Sequence, residues 1–308
     1  MENIIKIYSN PEDFTEGIFG QCLSWLLELL YYLEIKNLYN INDSNTKIIF
    51  DINTQNNKNL IPKFIQPKKK YTFDQVNINL TEISLFKFFN YTINNNKLLG
   101  INTESFEKAN KIFNKYFEFN SYILDKVNKL NINDKTLGIH YRGTDKQRDQ
   151  GESNYITKEE MILIIQDYMK NNIVSQIFCC SDEQSFLNQI IRLYPNKVIK
   201  YKQMRSINSE GRGLHKYGNN CNDIARDSLT NSSIIDMLAL SKCNKIIKTS
   251  SALSAFSKII NPSTKLYTVS AMKKPWFPSV IAEKYETNSE EIKKILKRTM
   301  KNDYYNKF

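Results

Sequence analysis

The chain has 308 residues, 41% hydrophobic and 12% aromatic, and carries a formal charge of +11 from 43 Lys and Arg against 32 Asp and Glu. That length allows two domains of ordinary size, each with its own core, and the composition excludes wholesale disorder. The positive balance favours an anionic partner (nucleotide, nucleic acid or membrane surface) without choosing among them, and the cluster QPKKKYTF (66–73) reads as a solvated loop.

In chain order, NIIKIYS (3–9) predicts a first strand, and EGIFGQCLSWLLELLYYLEI (16–35) is dense enough in apolar residues for a buried helix. That helix carries Glu28 and is too short for a membrane span, and the first residues, MENIIKIYSNPEDF, lack the pattern of a signal peptide. The expectation is a cytoplasmic, unprocessed chain. TKIIFDI (46–52) predicts a second strand and SLFKFFNYTI (84–93) a helix, with an ambiguous stretch between them. From 103 to 130, Phe106, Ala109, Ile112, Phe113, Tyr116 and Phe117 recur at helical spacing, which predicts one long or broken helix. We place a domain boundary near its end, giving an N-terminal α/β domain over 1–132.

Beyond it TLGIHY, SQIFCCS, KVIKY, NKIIKTS and KLYTV read as five strands, alternating with helical stretches such as TKEEMILIIQDYMKNN and ALSAFSKII. This rhythm predicts a doubly wound parallel sheet with helices on both faces over 133–285. No G-x-G-x-x-G follows any of these strands, so the dinucleotide fingerprint is absent. The segment 286–308 turns from acidic to basic, as a closing amphipathic helix does; peripheral membrane contact by its basic face is the alternative. The five cysteines, Cys22, Cys179, Cys180, Cys221 and Cys243, are odd in number and form no C-x-x-C pair. That argues against a disulfide framework or structural zinc and fits reduced thiols.

Four short stretches carry chemistry: HYRGTDK (140–146), SDEQ (181–184), GRGLHKYG (211–218) and TSSALS (249–254). Three of them follow predicted strands, whose carboxyl ends share one edge in a parallel sheet, so they can meet in one cleft. Period-2 alternation puts His140 and Arg142 on one face with Tyr141 on the other. The Arg142 guanidinium can bind two phosphate oxygens at once, or make a surface ion pair. Thr249, Ser250 and Ser251 precede a predicted helix and can either hold a phosphate at its N-terminus or simply cap it. Asp236 sits among apolar helix residues; it needs either a structural Arg or Lys, or the two N–H groups on one edge of guanine. His215 follows a glycine-rich turn and can be a plain loop residue.

In combination these residues resemble the GDP-fucose-dependent fucosyltransferases of the α1,6 and rhizobial nodulation type, related to the protein O-fucosyltransferases. His140, Tyr141, Arg142, Gly143, Thr144, Asp145 and Lys146 stand where that family has a His-x-Arg-Arg-Thr-Asp-Lys-like motif, with Gly143 in place of the second arginine. FCCSDEQSFL, with Asp182 and Glu183, resembles the family's strand and acidic turn, GRGLHKY its Gly-Leu-His segment, and IIDMLALSKCNKIIKTSSALSAF its helix, strand and serine-bearing loop. EGIFGQCL resembles its glycine-rich first loop.

The resemblance implies a GT-B-like architecture of two Rossmann-like domains facing across a cleft, and an inverting transfer of fucose from GDP-fucose to a glycan hydroxyl. It implies no metal and no cofactor. By that likeness His140 and Asp236 read the guanine, Arg142 holds the β-phosphate, and Ser251, or Ser250, helps hold the diphosphate. Lys146 adds positive charge, and the backbone around Gly20, Gln21 and Cys22 reaches the diphosphate from the other domain. Asp145, Asp182, Glu183 and His215 are left as acceptor-side or supporting residues, and the base is Glu152 or Asp149. Three alternatives stand beside this: an α1,2-fucosyltransferase or other GDP-sugar transferase on the same fold, a catalytically inactive nucleotide- or glycan-binding protein, and, from charge alone, a nucleic-acid binder.

Overall fold

The computed structural model describes residues 2–10, 19, 22–52, 65–67, 78–88, 99, 103–143, 153–199, 223–273 and 276–301. Near the N-terminus β1 (Glu2–Ser9) lies between β2 (Thr46–Ile52) and β4 (Ile78–Ser84), parallel to both. Between β1 and β2 runs α1 (Cys22–Ile35), which buries residues almost all round, including Leu26, Leu29 and Leu30. A helix apolar on every side must be covered on every side. The short β3 (Ile65–Pro67) pairs antiparallel with β5 (Phe117–Phe119).

The region expected as one long or broken helix is broken: α2 (Glu104–Tyr116) gives way to β5 and then α3 (Ser121–Asn128). Phe117 and Phe119 are buried, with Glu118 exposed between them. That alternation suits a strand, and the helical spacing of the flanking aromatics masks it. β4 was hidden in the ambiguous stretch. Of the helix expected over 84–93, residues 85–88 are helical and the remainder lies outside the described residues.

The second sheet contains β6 (Thr136–Tyr141), β7 (Gln176–Ser181), β8 (Lys245–Lys248), β9 (Lys265–Thr268) and β10 (Glu283–Lys284), all parallel, in the order β10-β9-β8-β6-β7. Of KVIKY, expected as a full strand, the described residues 197–199 meet the sheet through a parallel bridge from Val198 to Ile177, outside β7, and the other two lie outside the described residues. Taking that bridge as the outermost position, the chain crosses outward through β6, β7 and Val198. It then returns to the other side of β6 for β8, β9 and β10. This is the doubly wound order 3-2-1-4-5-6, and it reverses direction between β6 and β8.

Helices α4 (Lys158–Asn171), α5 (Gln184–Leu193), α6 (Asp223–Ser241), α7 (Ala252–Ile260) and α8 (Glu290–Thr299) complete the fold. Thr157 and Glu160 form a reciprocal capping box at the start of α4, and Ser289 caps α8, as the acidic opening of that segment led us to expect. Two apolar clusters follow strand parity. Leu137, Ile139 and Tyr141 share one with α4 and α8, while Phe178, Cys180 and Ile246 share the other with α6 and α7.

The second cluster continues into the N-terminal sheet through α1, α2 and α3. Across this junction Asn110 Nδ2 donates to the carbonyls of Ile259 (2.7 Å) and Ile260 (3.1 Å), and Phe19 packs on Phe256 with ring centroids 5.4 Å apart. Among the described residues no helix is long and apolar enough to cross a membrane.

Candidate functional site

The carboxyl ends of β6, β7 and β8 lie side by side, and their loops are tied together by backbone donors. Thr249 N donates to the His140 carbonyl (3.0 Å), Arg142 N donates to Thr249 Oγ1 (2.9 Å), and Gly143 N donates to Asp182 Oδ1 (3.0 Å). The three stretches expected to meet do meet, at the point where the sheet order reverses. Arg142 is the first residue past β6 and half-buried, which places it at the strand tip.

His140 is buried on the face that α6 covers. Leu240 of α6 lies over Gly138, where a Cβ would come within 3.1 Å of Leu240 Cδ2. Asp236 stands one helical turn before Leu240, and His140 two residues beyond Gly138. Since α6 runs back against the strands, both steps lead about 6 Å toward the same edge. Asp236 and His140 therefore belong to one helix-sheet interface at the strand tips.

The serine loop settles one question left open by the sequence. Ser251 occupies the N-cap position of α7 with extended backbone, yet its side chain makes no cap hydrogen bond. Its Oγ is buried without a hydrogen-bond partner, and only 6% of the residue is exposed. Simple capping is not what this serine does. Thr249 Oγ1 is taken up by Arg142 N, and Ser250 N donates to Ser270 Oγ (3.1 Å), which fixes the loop from the β9 side.

On the other flank, Glu183 is only 2% exposed and pairs with Lys158 of α4 (Oε2 to Nζ, 2.6 Å), with Ser185 Oγ donating weakly to the same oxygen (3.4 Å). Gly143 packs against this pair. A Cβ at 143 would meet Glu183 Oε1 at 2.1 Å and Tyr141 Cε1 at 2.7 Å. The glycine standing where the family motif has a second arginine is thus demanded by packing: the buried carboxylate fills the space that a side chain would need. Burial first, then the nearby Tyr155 and Glu183, hold the Tyr141 phenol far above its usual range, so it stays neutral at any physiological pH. Lys158→Met leaves the Glu183 carboxylate buried without its cation. It is expected to lower stability by about 3 kcal/mol, read as a shift in urea midpoint at constant slope.

Cys22 opens α1, with its thiol buried and pushed up to about 12, so the side chain is an inert core group and any ligand contact there falls to the backbone. Phe19, three residues earlier, rests on Phe256 of α7 and so brings this stretch beside the helix that follows the serine loop. Gly20, Gln21, Asp145, Lys146, Asp149, Glu152, His215 and Cys221 lie outside the described residues. Sequence reasoning passed over Lys248 and Thr268. Lys248 ends a strand whose other alternate position, Ile246, is core, so parity turns it inward once the sheet is known.

The class this geometry defines is an α/β protein whose polar loops gather at the switch point of a doubly wound parallel sheet, the position at which such sheets bind ligands. No protein-family model matches the chain, and no curated protein does. It is similar in structure to NodZ α-1,6-fucosyltransferase soaked with GDP-fucose, with 16% identity, 85% of this chain and 93% of that one covered, and a TM-score of 0.48. It is similar to fucosyltransferase NodZ from Bradyrhizobium at 14% identity, covering 85% and 94%, with a TM-score of 0.48. A variant of Arabidopsis thaliana FUT1 in complex with GDP matches at 8% identity over 90% of this chain and 71% of that one, with a TM-score of 0.45. Identities this low do not assign an activity, which has to come from the residues of the site.

Proposed function

We propose that the chain is an inverting, metal-independent glycosyltransferase that moves fucose from GDP-fucose to a hydroxyl of a glycan acceptor on a GT-B-like fold. The observation that carries this reading is the switch point itself, where Arg142, the His140–Asp236 interface and the uncapped N-terminus of α7 share one edge of the sheet. A fork-shaped cation and a helix N-terminus suit a diphosphate, and a carboxylate beside an imidazole suits a purine edge. In the transfer, the acceptor oxygen bonds to the anomeric carbon as the carbon–oxygen bond to the β-phosphate breaks. The electron pair stays on GDP, and the acceptor proton passes to a carboxylate. Arg142 and the α7 N-terminus stabilise the charge that grows on the departing diphosphate.

For the base, Glu152 and Asp149 both fall within ten residues after Gly143 in the sequence. Glu183 is a poor alternative, since its carboxylate is already paired and almost wholly covered. The glycine at 143 gives no support to the inactive-protein reading, because the packing around it calls for glycine whatever the activity.

The reading is tested by incubating the purified protein with radiolabelled GDP-fucose and a panel of defined oligosaccharides, with and without excess EDTA. Labelled product of inverted anomeric configuration, formed equally in EDTA, is the expected result. GDP binding without transfer or hydrolysis across the panel would move the chain to the inactive class, and full loss of activity in EDTA would end the metal-independent mechanism.

A further inference from the structure

Lys248 closes β8, is 1% exposed, and has no carboxylate paired with it among the described residues. It is the register partner of His140 on one side and of Thr268 on the other, so the three side chains share one face of the sheet. Ile246, two residues earlier on that face, packs in one cluster with Ala255, Phe256 and Ile259 of α7. The Lys248 side chain therefore runs between the sheet and α7, at the end where α7 has its N-terminus. Two further polar heads sit there without hydrogen-bond partners, both buried: Thr268 Oγ1 and Ser251 Oγ.

An ammonium beside a helix N-terminus is unfavourable, because both are positive and among the described residues no carboxylate pairs with the amine. Two buried hydroxyls without partners add to the unmet demand, since such groups ordinarily find a water, an ion or a ligand. One chemical class answers all of it: an oxyanion accepts from the amine, from both hydroxyls and from the free N–H groups of the helix. We propose that Lys248, with the Thr268 and Ser251 hydroxyls, forms a buried anion site beneath the α7 N-terminus that receives the phosphates of a nucleoside diphosphate. The identity of that ligand rests on the function proposed above; the anion site itself does not.

The site has a proton attached to its chemistry. Burial alone lowers the lysine to about 7, so in the empty protein the amine is largely neutral above that pH. A diphosphate placed against it favours the charged form, so binding at about pH 8 draws in a proton. Among the described residues, the other titratable or charged groups around this interface are His140 and Cys180 on the sheet, Asp236 on α6, Cys243 in the turn between α6 and β8, Arg142 at the β6 tip, Cys22 at the start of α1, and Lys258 of α7. The Lys258 ammonium is already held by Glu283 and by the Pro262 and Thr264 carbonyls. Comparison with a Lys248 variant separates its proton from those of the other groups.

The experiment is isothermal titration calorimetry of the full chain with GDP, and separately with pyrophosphate, at about pH 8 in two buffers of different ionisation enthalpy. Wild type is expected to take up about one proton per ligand bound. Lys248→Met, close in volume to a neutral lysine, is expected to bind at least about tenfold more weakly and without that proton. Its thermal melt when empty reports that it is folded, and the wild-type uptake stands as a test even if it is not. GDP binding with no proton uptake, or undiminished affinity and uptake in a folded Lys248→Met, overturns the role of Lys248 and leaves the nucleotide reading intact. Pyrophosphate bound with its proton while GDP is ignored upholds the anion site and overturns the nucleotide reading. Binding of neither overturns both.

Discussion

Arg142→Ala is expected to reduce fucose transfer by about a hundred- to a thousandfold and to weaken GDP binding. Arg142 is the first residue past β6, at the switch point between β6 and β8, and its backbone N–H is already committed to Thr249 Oγ1. The backbone bond survives truncation, so the loop keeps its place and the loss falls on the ligand. A diphosphate without its forked partner loses two charge-assisted bonds at once, and the loss grows as the leaving group gains charge. Steady-state kinetics with titration of GDP as a competitor checks this. Arg142→Lys keeps the charge without the fork and is expected to fall between the two. Unchanged turnover in Arg142→Ala would remove the residue from the mechanism.

Gly143→Ala is expected to destabilise the fold by about 2–3 kcal/mol although it adds a single methyl group. The added carbon would sit 2.1 Å from Glu183 Oε1 and 2.7 Å from Tyr141 Cε1. Neither neighbour gives easily. The glutamate is held by Lys158, and the tyrosine ring is stacked on Phe186 with centroids 4.4 Å apart. A double-mutant cycle with Glu183→Ala identifies the cause. If Glu183 is the obstacle, the alanine at 143 costs less in the double variant, leaving a coupling energy of at least about 1 kcal/mol. Additive effects would place the strain elsewhere.

Much of the second sheet was legible because its strands are apolar runs bounded by turn residues, and its helices open with caps such as Thr157 and Ser289. The tip residues were legible for a related reason: His140, Arg142 and the serines follow those runs directly. The N-terminal half was harder. β5 hides between two helices because Phe117 continues the helical spacing set by Phe106 and Phe113, and only tertiary pairing with β3 makes it a strand. KVIKY has strand composition, but its described residues, 197–199, contribute one bridge. Propensity cannot foresee how much of a partner strand's edge is available.

The partnership of Glu183 with Lys158 and Gly143 joins residues from two different loops and a helix, and no local pattern announces it. Lys248 is different. Its burial follows from strand parity once the sheet is known, but in sequence a lysine ending a strand reads as an exposed one.

The central claim is that the switch point between β6 and β8 receives a guanosine diphosphate sugar. Thermal unfolding of the full chain with GDP-fucose, GDP-mannose, UDP-glucose or ATP, all at one concentration about a hundredfold the dissociation constant expected for GDP-fucose, tests that most directly. Preferential stabilisation by the GDP ligands, about 5 °C and largest for GDP-fucose, is the predicted result. Equal or greater stabilisation by UDP-glucose or ATP, or none by any of the four, would contradict it.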